Sequence, residues 1–396
     1  MTLAMVEQLK PRYSVTWINR IAEIPQAAWD DLAMPLKTPF FEWEWLHNME
    51  TSGSTTARSG WLPNHLTLWR DNSLIGIAPL YIKGHSYGEF VFDHQWADVA
   101  ARVGVEYYPK LLGMSPFTPV EGYRFLIAPG EDEEEITALI VNAIDQFCLQ
   151  NKISGCNFLY VDPAWRSTIE PHGFTSWQHH SFIWQNQGYQ SFEDYLSAFN
   201  ANQRRNIKRE RKAVAQAGLV LKTLTGEAIP KDLFPLMYTF YSDTCDKFGW
   251  WGSKYLTRKF FEQLSGYADR VVFVAAYPEA DQNQPIGMSF CLTKGANLYG
   301  RYWGAYQDID CLHFDACYYS PIEWAIEHKI QVFDPGAGGR HKKRRGFPAT
   351  VNHSLHRFYN PQFNQVFRSY IQQVNDLEQR EIDAMNQDLP FKQPTP

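Results

Sequence analysis

Residues 334–346 read DPGAGGRHKKRRG, so three glycines, Gly336, Gly338 and Gly339, precede Arg340, His341, Lys342, Lys343, Arg344 and Arg345. A turn that frees backbone N–H groups and then presents cations suits an anion with more than one charge, such as a phosphate or pyrophosphate on a substrate or carrier. A solvated basic loop has the same composition. A second cluster bears on the choice. RRNIKRERK, residues 204–212, lies between flanks of helix-forming composition and ends near a stop signal at Gly218. At 3.6 residues per turn Arg204, Lys208 and Lys212 share a face with Arg205 and Arg209 beside it, while Ile207, Val214 and Ala217 turn inward. Glu210 is the one acidic partner within the stretch, so the stripe faces water or awaits an anionic ligand.

These clusters sit in an acidic protein: 396 residues carry a net charge of −6. That argues against DNA or a general nucleic-acid surface and for a defined anionic site. The length allows two ordinary domains, and 44% hydrophobic with 15% aromatic residues supplies a substantial core. The start, MTLAMVEQLKPRYS, interrupts with charges and a proline the apolar run a secretory signal needs, and no segment reaches the length of a membrane span. A cytoplasmic protein is the expectation. Six cysteines lack CxxC pairing, which signals neither a disulfide framework nor a zinc site. Packing accounts for Cys311 and Cys317 better than a nucleophilic role does.

The elements that position these residues repeat. In the first half HLTLWRDNSLIGIAPLYIK (65–83) reads as two strands turning at Asp71-Asn72, EDEEEITALIVNAIDQFCLQN (131–151) as a helix with an acidic first turn, and CNFLYVDP as a buried strand. In the second half 270–306 reads as three antiparallel strands, HFDACYYSPIEWAIEHK as a helix and IQVFDP as a strand. Both runs end in Asp-Pro, at Asp162-Pro163 and Asp334-Pro335. The pattern predicts an α/β (α+β) chain of two similar domains, each a mixed, mainly antiparallel sheet flanked by helices. The boundary falls at residues 1–187 and 188–396, the second domain including the basic helix (about 200–217) and an amphipathic C-terminal helix, with a frayed end at QDLPFKQPTP.

FFEWEWLHNME, IGIAPLYIKGHSYGEFVFD, YYPKL, PFTP, NQRRNIKRERKAV, GRYWG, LHFDACYY and FDPGAGGRHK…RGF together cover most of the chain. On these strings the chain resembles the FemAB-like predicted N-acyltransferases, relatives of the Fem peptidyltransferases and of the GCN5-related (GNAT) superfamily. The resemblance implies tandem GNAT-like domains. It also implies an acyl carrier near a splayed strand and the helix start after it, here LYGRYWGAY and the helix beginning around His313. The loop between them, QDIDCL, lacks the usual glycine-containing phosphate loop, and Asp308 and Asp310 would repel a pyrophosphate there. The basic stretch 340–345 or the stripe 204–212 then remains for the phosphates, whether of coenzyme A, an aminoacyl-tRNA end or a nucleotide-linked acceptor.

N-acyl transfer needs a neutral amine aligned with an activated carbonyl, a proton acceptor, and support for the oxyanion and leaving group. His313 is the first choice of base, because histidine titrates near neutrality and this one stands at a helix start. Glu323 lies about three turns further on, near the same face, to orient the amine. Tyr302 and Tyr318 serve as donors to the oxyanion or leaving group. Asp93, His94, Asp98 and Lys110 in the first half, with Arg301, form a candidate acceptor site. No spaced third ligand completes a metal site around Asp93 and His94.

The leading expectation is an N-acyltransferase that moves an acyl or aminoacyl group directly onto a small-molecule or peptide amine with general-base help. Its donor is acyl-CoA or aminoacyl-tRNA, acyl-CoA being the expected co-substrate, with no tightly bound cofactor. One alternative is a non-catalytic protein binding coenzyme A or a nucleotide. The other is an RNA-associated module, against which the aromatic cluster GWWG (249–252) stands about forty residues from the basic helix.

Overall fold

The computed structural model describes residues 13–249 and 253–392. The chain start, Trp250 and Trp251 of GWWG, and the last four residues of the expected frayed end lie outside the described residues. Among the described residues sixteen strands form three sheets. The first joins β1 (Tyr13–Ile18), β3 (His65–Arg70), β4 (Ser73–Ala78) and β7 (Leu126–Ile127) in that order. The second has the order β2 (Leu62–Pro63), β5 (Tyr81–Lys83), β6 (Lys110–Gly113), β8 (Gly155–Phe158), β16 (Ala349–Phe358), β9 (Thr175–Phe182). The third runs β10 (Trp184–Gln185), β15 (Val332–Asp334), β14 (Asn297–Ala305), β13 (Gly287–Lys294), β12 (Val271–Pro278), β11 (Leu219–Thr225).

Local chemistry explains the elements. The β3–β4 hairpin turns at Asp71, whose φ is 55°. The helix Glu133–Gln150 is capped by Asp132, which accepts from Glu134 N (2.9 Å) and Glu135 N (3.0 Å), and three glutamates occupy its first turn against the positive end of the dipole. The basic helix Ala201–Gln216 is capped by Asn200 and buries Ile207 and Val214. Strand β12, VVFVAAYP, is buried over seven of its eight residues, as a central strand covered on both faces requires.

Antiparallel pairing dominates, but each half contains one parallel ladder, β6 with β8 and β14 with β15. The Asp-Pro that comes after β8 and the one that ends β15 make the same turn: Asp162 Oδ1 accepts from Ala164 N (2.9 Å) and Asp334 Oδ1 from Gly336 N (2.8 Å).

The halves also exchange structure. Strand β16, from the C-terminal part of the chain, lies between β8 and β9 in the second sheet, while β10 pairs with β15 in the third. The C-terminal helix Pro361–Gln387 packs on β9 and β16, where the Asn375 amide accepts from Gln178 N and donates to Ser176 O. One core runs through both halves, from Ile18 and Trp45 to Phe273 and Phe290. At the junction buried Glu42 accepts from Arg270 (2.9 Å) and Lys294 (2.8 Å).

Candidate active site

Strand β14 and the chain after β15 begin side by side and then part. Tyr299 pairs with Asp334, a Cβ on Gly300 would lie 3.2 Å from Pro335 Cα, and beyond that point a cavity of about 270 Å³ opens. Gly300–Trp303 form one wall, Pro335 and Ala337–Gly339 with His341 and Lys342 another, and His313, Cys317 and Tyr318 a third. A second cavity of about 640 Å³ shares Arg301, Tyr302, Trp303 and His313 with the first and extends to Phe90 of the first half.

Arg301 stands at the meeting point because β14 carries a bulge there: Phe290 pairs with Tyr302 and Cys291 with Gly300, leaving Arg301 with no residue opposite. Its Nη2 donates to Phe117 O of the first half (2.7 Å), and its buried Nε has no hydrogen-bond partner among the described residues.

His313 lies in a short helical turn, Leu312–Phe314, that runs directly into a π-helical turn, Asp315–Tyr319. A π turn widens the helix and re-aims the next turn, and such turns are frequent at functional sites. The buried Ser289 hydroxyl donates to Ala316 O of this turn (2.6 Å). Tyr318 and His341 Nε2 share a hydrogen bond of 2.8 Å, and the His313 ring centroid lies 5.6 Å from Tyr318 and 5.8 Å from His341. Burial, then the neighbouring His341, Arg345 and Lys342, pushes His313 down to about 4. Burial and the same two cations push His341 to about 4. Both imidazoles are therefore neutral at pH 7. The ordinary near-neutral titration expected of His313 is corrected: with cations close by, its charged form is disfavoured.

The sequence-read residues divide. His313, Tyr318, Tyr302, Arg301, Gly338, Gly339, His341 and Lys342 line the joined cavities, and Gly336 shapes the turn beside them. Glu323 does not join them. It accepts from Arg211 Nη2 (2.7 Å) and lines a separate groove with Lys208 and Arg211, because ten helical residues already leave it about 80° round the axis from His313 and the π turn rotates it further away.

The basic turn also differs from a row of presented cations. Lys342 is buried, donates to Gly336 O (2.6 Å) and Ala337 O (3.2 Å), and is lowered to about 8 by burial. Arg345 is buried too, pairs with Glu210 (2.9 Å) and stacks 3.4 Å over Phe314. Arg340 pairs with Glu381, while Arg344 is exposed. Along the basic helix Lys208 pairs with exposed Glu193 (3.0 Å). Arg204, Arg205, Arg209 and Lys212 have no ion-pair partner among the described residues.

The expected acceptor cluster separates as well. Asp93 and Lys110 are buried and paired at 2.6 Å, with Glu89 2.7 Å from the same ammonium, and Tyr107 and Ser86 also donate to Asp93. Burial opposes both charges, yet the pairing prevails and holds Lys110 above and Asp93 below their ordinary values. This network braces the first half. His94 and Asp98 are exposed on the helix His94–Arg102.

The sequence reading missed Trp303, and it missed Asp334 as a buried carboxylate beneath the glycine turn. Desolvation pushes the half-buried Cys317 thiol well up and Cys311 to about 11, which disfavours a thiolate at either. Among the described residues no three histidine, cysteine, aspartate or glutamate side chains are grouped to hold a metal ion. No helix among them is long and apolar enough to cross a membrane.

A model of the FemAB-like family, described as peptidoglycan biosynthesis/recognition, matches residues 20–393. Among solved structures the chain is similar to FemX, at 10% identity and a TM-score of 0.53, over 87% of this chain and 98% of that one. It is also similar to L-PGS from Bacillus licheniformis (8%, 0.49; 86% and 98% covered) and to a tandem GNAT protein from the clavulanic acid biosynthesis pathway (12%, 0.45; 88% and 99%). No curated protein matches in sequence. At 10% identity the likeness to FemX is one of fold, and the mixed, mainly antiparallel α/β sheets flanked by helices that the sequence predicts are the ones observed.

Proposed function

The chain belongs to the FemAB-like family, and on that premise we propose that it transfers an acyl or aminoacyl group from an activated carrier to an amine at the open split of its second half. The observation that supports this most is the parting of β14 from the chain after β15, around a cavity that gathers Arg301, His313, Tyr318 and His341.

In this reading the donor carbonyl lies beside Arg301, whose unpartnered Nε and positive charge stabilise the oxyanion. The amine nitrogen attacks the carbonyl carbon and the tetrahedral intermediate expels a thiolate or a ribose hydroxyl. The amine proton passes to a neutral imidazole, His313 directly or His341, with Tyr318 hydrogen-bonded to it. An anionic donor beside Lys342, Arg345 and His341 offsets the cations that hold His313 down, so donor binding makes the base stronger. The glycine turn supports a phosphate: Lys342 draws the carbonyls of Gly336 and Ala337 inward, and Gly336, Gly338 and Gly339 all have positive φ. An aminoacyl-tRNA carries its ester on the terminal ribose, one nucleotide from a phosphate, whereas coenzyme A carries its thioester at the far end of the pantetheine arm, and both remain candidate donors.

The test is thermal stabilisation by acyl-CoAs and aminoacylated RNA mimics, followed by product formation with a panel of amines. His313→Ala is expected to keep donor stabilisation and lose turnover by about 10²-fold or more. Unchanged turnover in both His313→Ala and His341→Ala, or no stabilisation by any activated donor, contradicts the proposal.

A further inference from the structure

The larger cavity has a chemistry of its own. Its aromatic walls are Phe90, Tyr241, Phe248, Tyr255, Tyr302 and Trp303, and the polar handle of Tyr241 is engaged within the fold. The Tyr241 hydroxyl accepts from Tyr255 N (2.7 Å) and Leu256 N (3.1 Å) and donates to Ser253 O (3.2 Å), so its ring is what remains for a ligand. The Tyr255 ring stacks on Phe117 at 4.8 Å, and Tyr302 sits against the Arg301 guanidinium. Lys247, the ammonium on this wall, donates to Ala305 O (3.2 Å). Arg301 and His313 stand where the cavity meets the reaction centre, Gln307 and Asp308 line it from the loop after β14, and Thr244 and Ser253 add polar groups to its wall.

Phe248, which lines the cavity, and Tyr306, between the lining residues Ala305 and Gln307, are exposed. A cavity of about 640 Å³ equals roughly twenty water volumes of ~30 Å³, far more than an acetyl group fills.

We propose that this cavity binds an extended apolar chain on one of the two substrates, of roughly ten carbons, with its reactive end at Arg301 and His313. The assignment rests on the proposed transfer for the position of the reactive end, while the binding itself is measurable without turnover. The chain comes either from the acyl group or from the amine.

The experiment compares thermal stabilisation of the full protein by straight-chain carboxylates from acetate to hexadecanoate and by alkylamines of the same lengths. It then compares turnover of acetyl-CoA with that of dodecanoyl-CoA. Two variants partly fill the cavity without touching the proposed catalytic groups, Thr244→Trp and Cys245→Phe. Affinity is expected to rise about fourfold per methylene up to roughly ten carbons, and the rise is expected to vanish in both variants while short-chain ligands behave as in the wild type. A rise for carboxylates alone assigns the chain to the donor, and a rise for amines alone assigns it to the acceptor. Affinity independent of length, or a rise that both variants retain, overturns the proposal. The two readings fail separately: chain-dependent binding with no turnover of any donor removes the transfer reading, whereas affinity that does not depend on chain length for carboxylates or for amines removes the cavity assignment.

Discussion

The two parallel strand pairs of this molecule meet the same geometric problem and solve it in opposite ways. In the second half β14 and the chain after β15 diverge around an open cavity. In the first half the chain returns after β6, and Tyr123 bridges Val161 in parallel while Asp162 N donates to Tyr123 O (2.9 Å). The Tyr123 ring then closes over Gly113: a Cβ there would lie 2.2 Å from Tyr123 Cζ. Phe158 stacks on the same ring at 5.3 Å, and Trp165 adds an edge at 6.0 Å. One split is plugged by aromatic side chains and bears load. The other is kept open by a bulged arginine, a π turn and a glycine-rich loop. The two parallel ladders are similar frames, and the cavity opens beside the second of them.

Removing the plug tests the contrast most heavily. Tyr123→Ala is expected to cost about 3–5 kcal/mol in denaturant unfolding while leaving donor affinity unchanged. A changed donor affinity would make the first half part of the site. Next in size, Arg301→Ala is expected to lower kcat/KM by about 10²–10³-fold with only a modest fall in Tm, because the fold loses one hydrogen bond, Nη2 to Phe117 O, while the unpartnered Nε serves the oxyanion. A loss confined to stability would make Arg301 a strut between halves.

A smaller effect separates the 640 Å³ and 270 Å³ cavities from the groove that holds Glu323. Glu323→Ala breaks a partly exposed ion pair, and is expected to cost less than about 1 kcal/mol and to leave turnover unaltered.

The smallest signal is spectroscopic. The imidazoles of His313 and His341 are expected to titrate by NMR near pH 4 in the free protein, and His313 to move upward when an anionic donor binds. His179 and His353 are likewise lowered to about 4 and His356 to about 3. Unfolded histidines take up protons near pH 6.5, so between about 6.5 and 4 the unfolded chain binds more protons than the folded one. Stability is therefore constant in these groups above about 6.5 and falls as pH drops toward 4, which Tm against pH will show.

Periodicity and charge made part of this molecule legible in its sequence. The run 270–306 alternates and turns where β12–β14 do, and the basic helix carries its own cap and stop. Strand β16 was not legible. ATVNHSLHRF reads as polar, yet its polar groups are buried against neighbours: His179 Nε2 meets Ser354 Oγ at 2.7 Å, and Asn352 Nδ2 donates to Ser181 Oγ at 2.7 Å. A buried polar ladder has no hydrophobic signature. The basic turn shows a related limit, since composition records the charges of Lys342 and Arg345 but not that both point inward. Glu323 stands away from His313 because ten residues are about 80° short of three full turns, and the π turn between them, which leaves no mark in residue spacing, adds to the offset. Arg301 was marked for the acceptor site by residue type, but its position at the meeting of two cavities depends on a bulge that appears only in the strand register.

The central claim is that donor chemistry resides in the second split alone. Hydrogen exchange of the protein with and without the acyl donor that supports turnover measures this most directly. The account predicts new protection in residues 300–303 and 335–342, with residues 110–123 and 158–165 unchanged. Protection centred on the Tyr123 plug, with the second split unaffected, would contradict it.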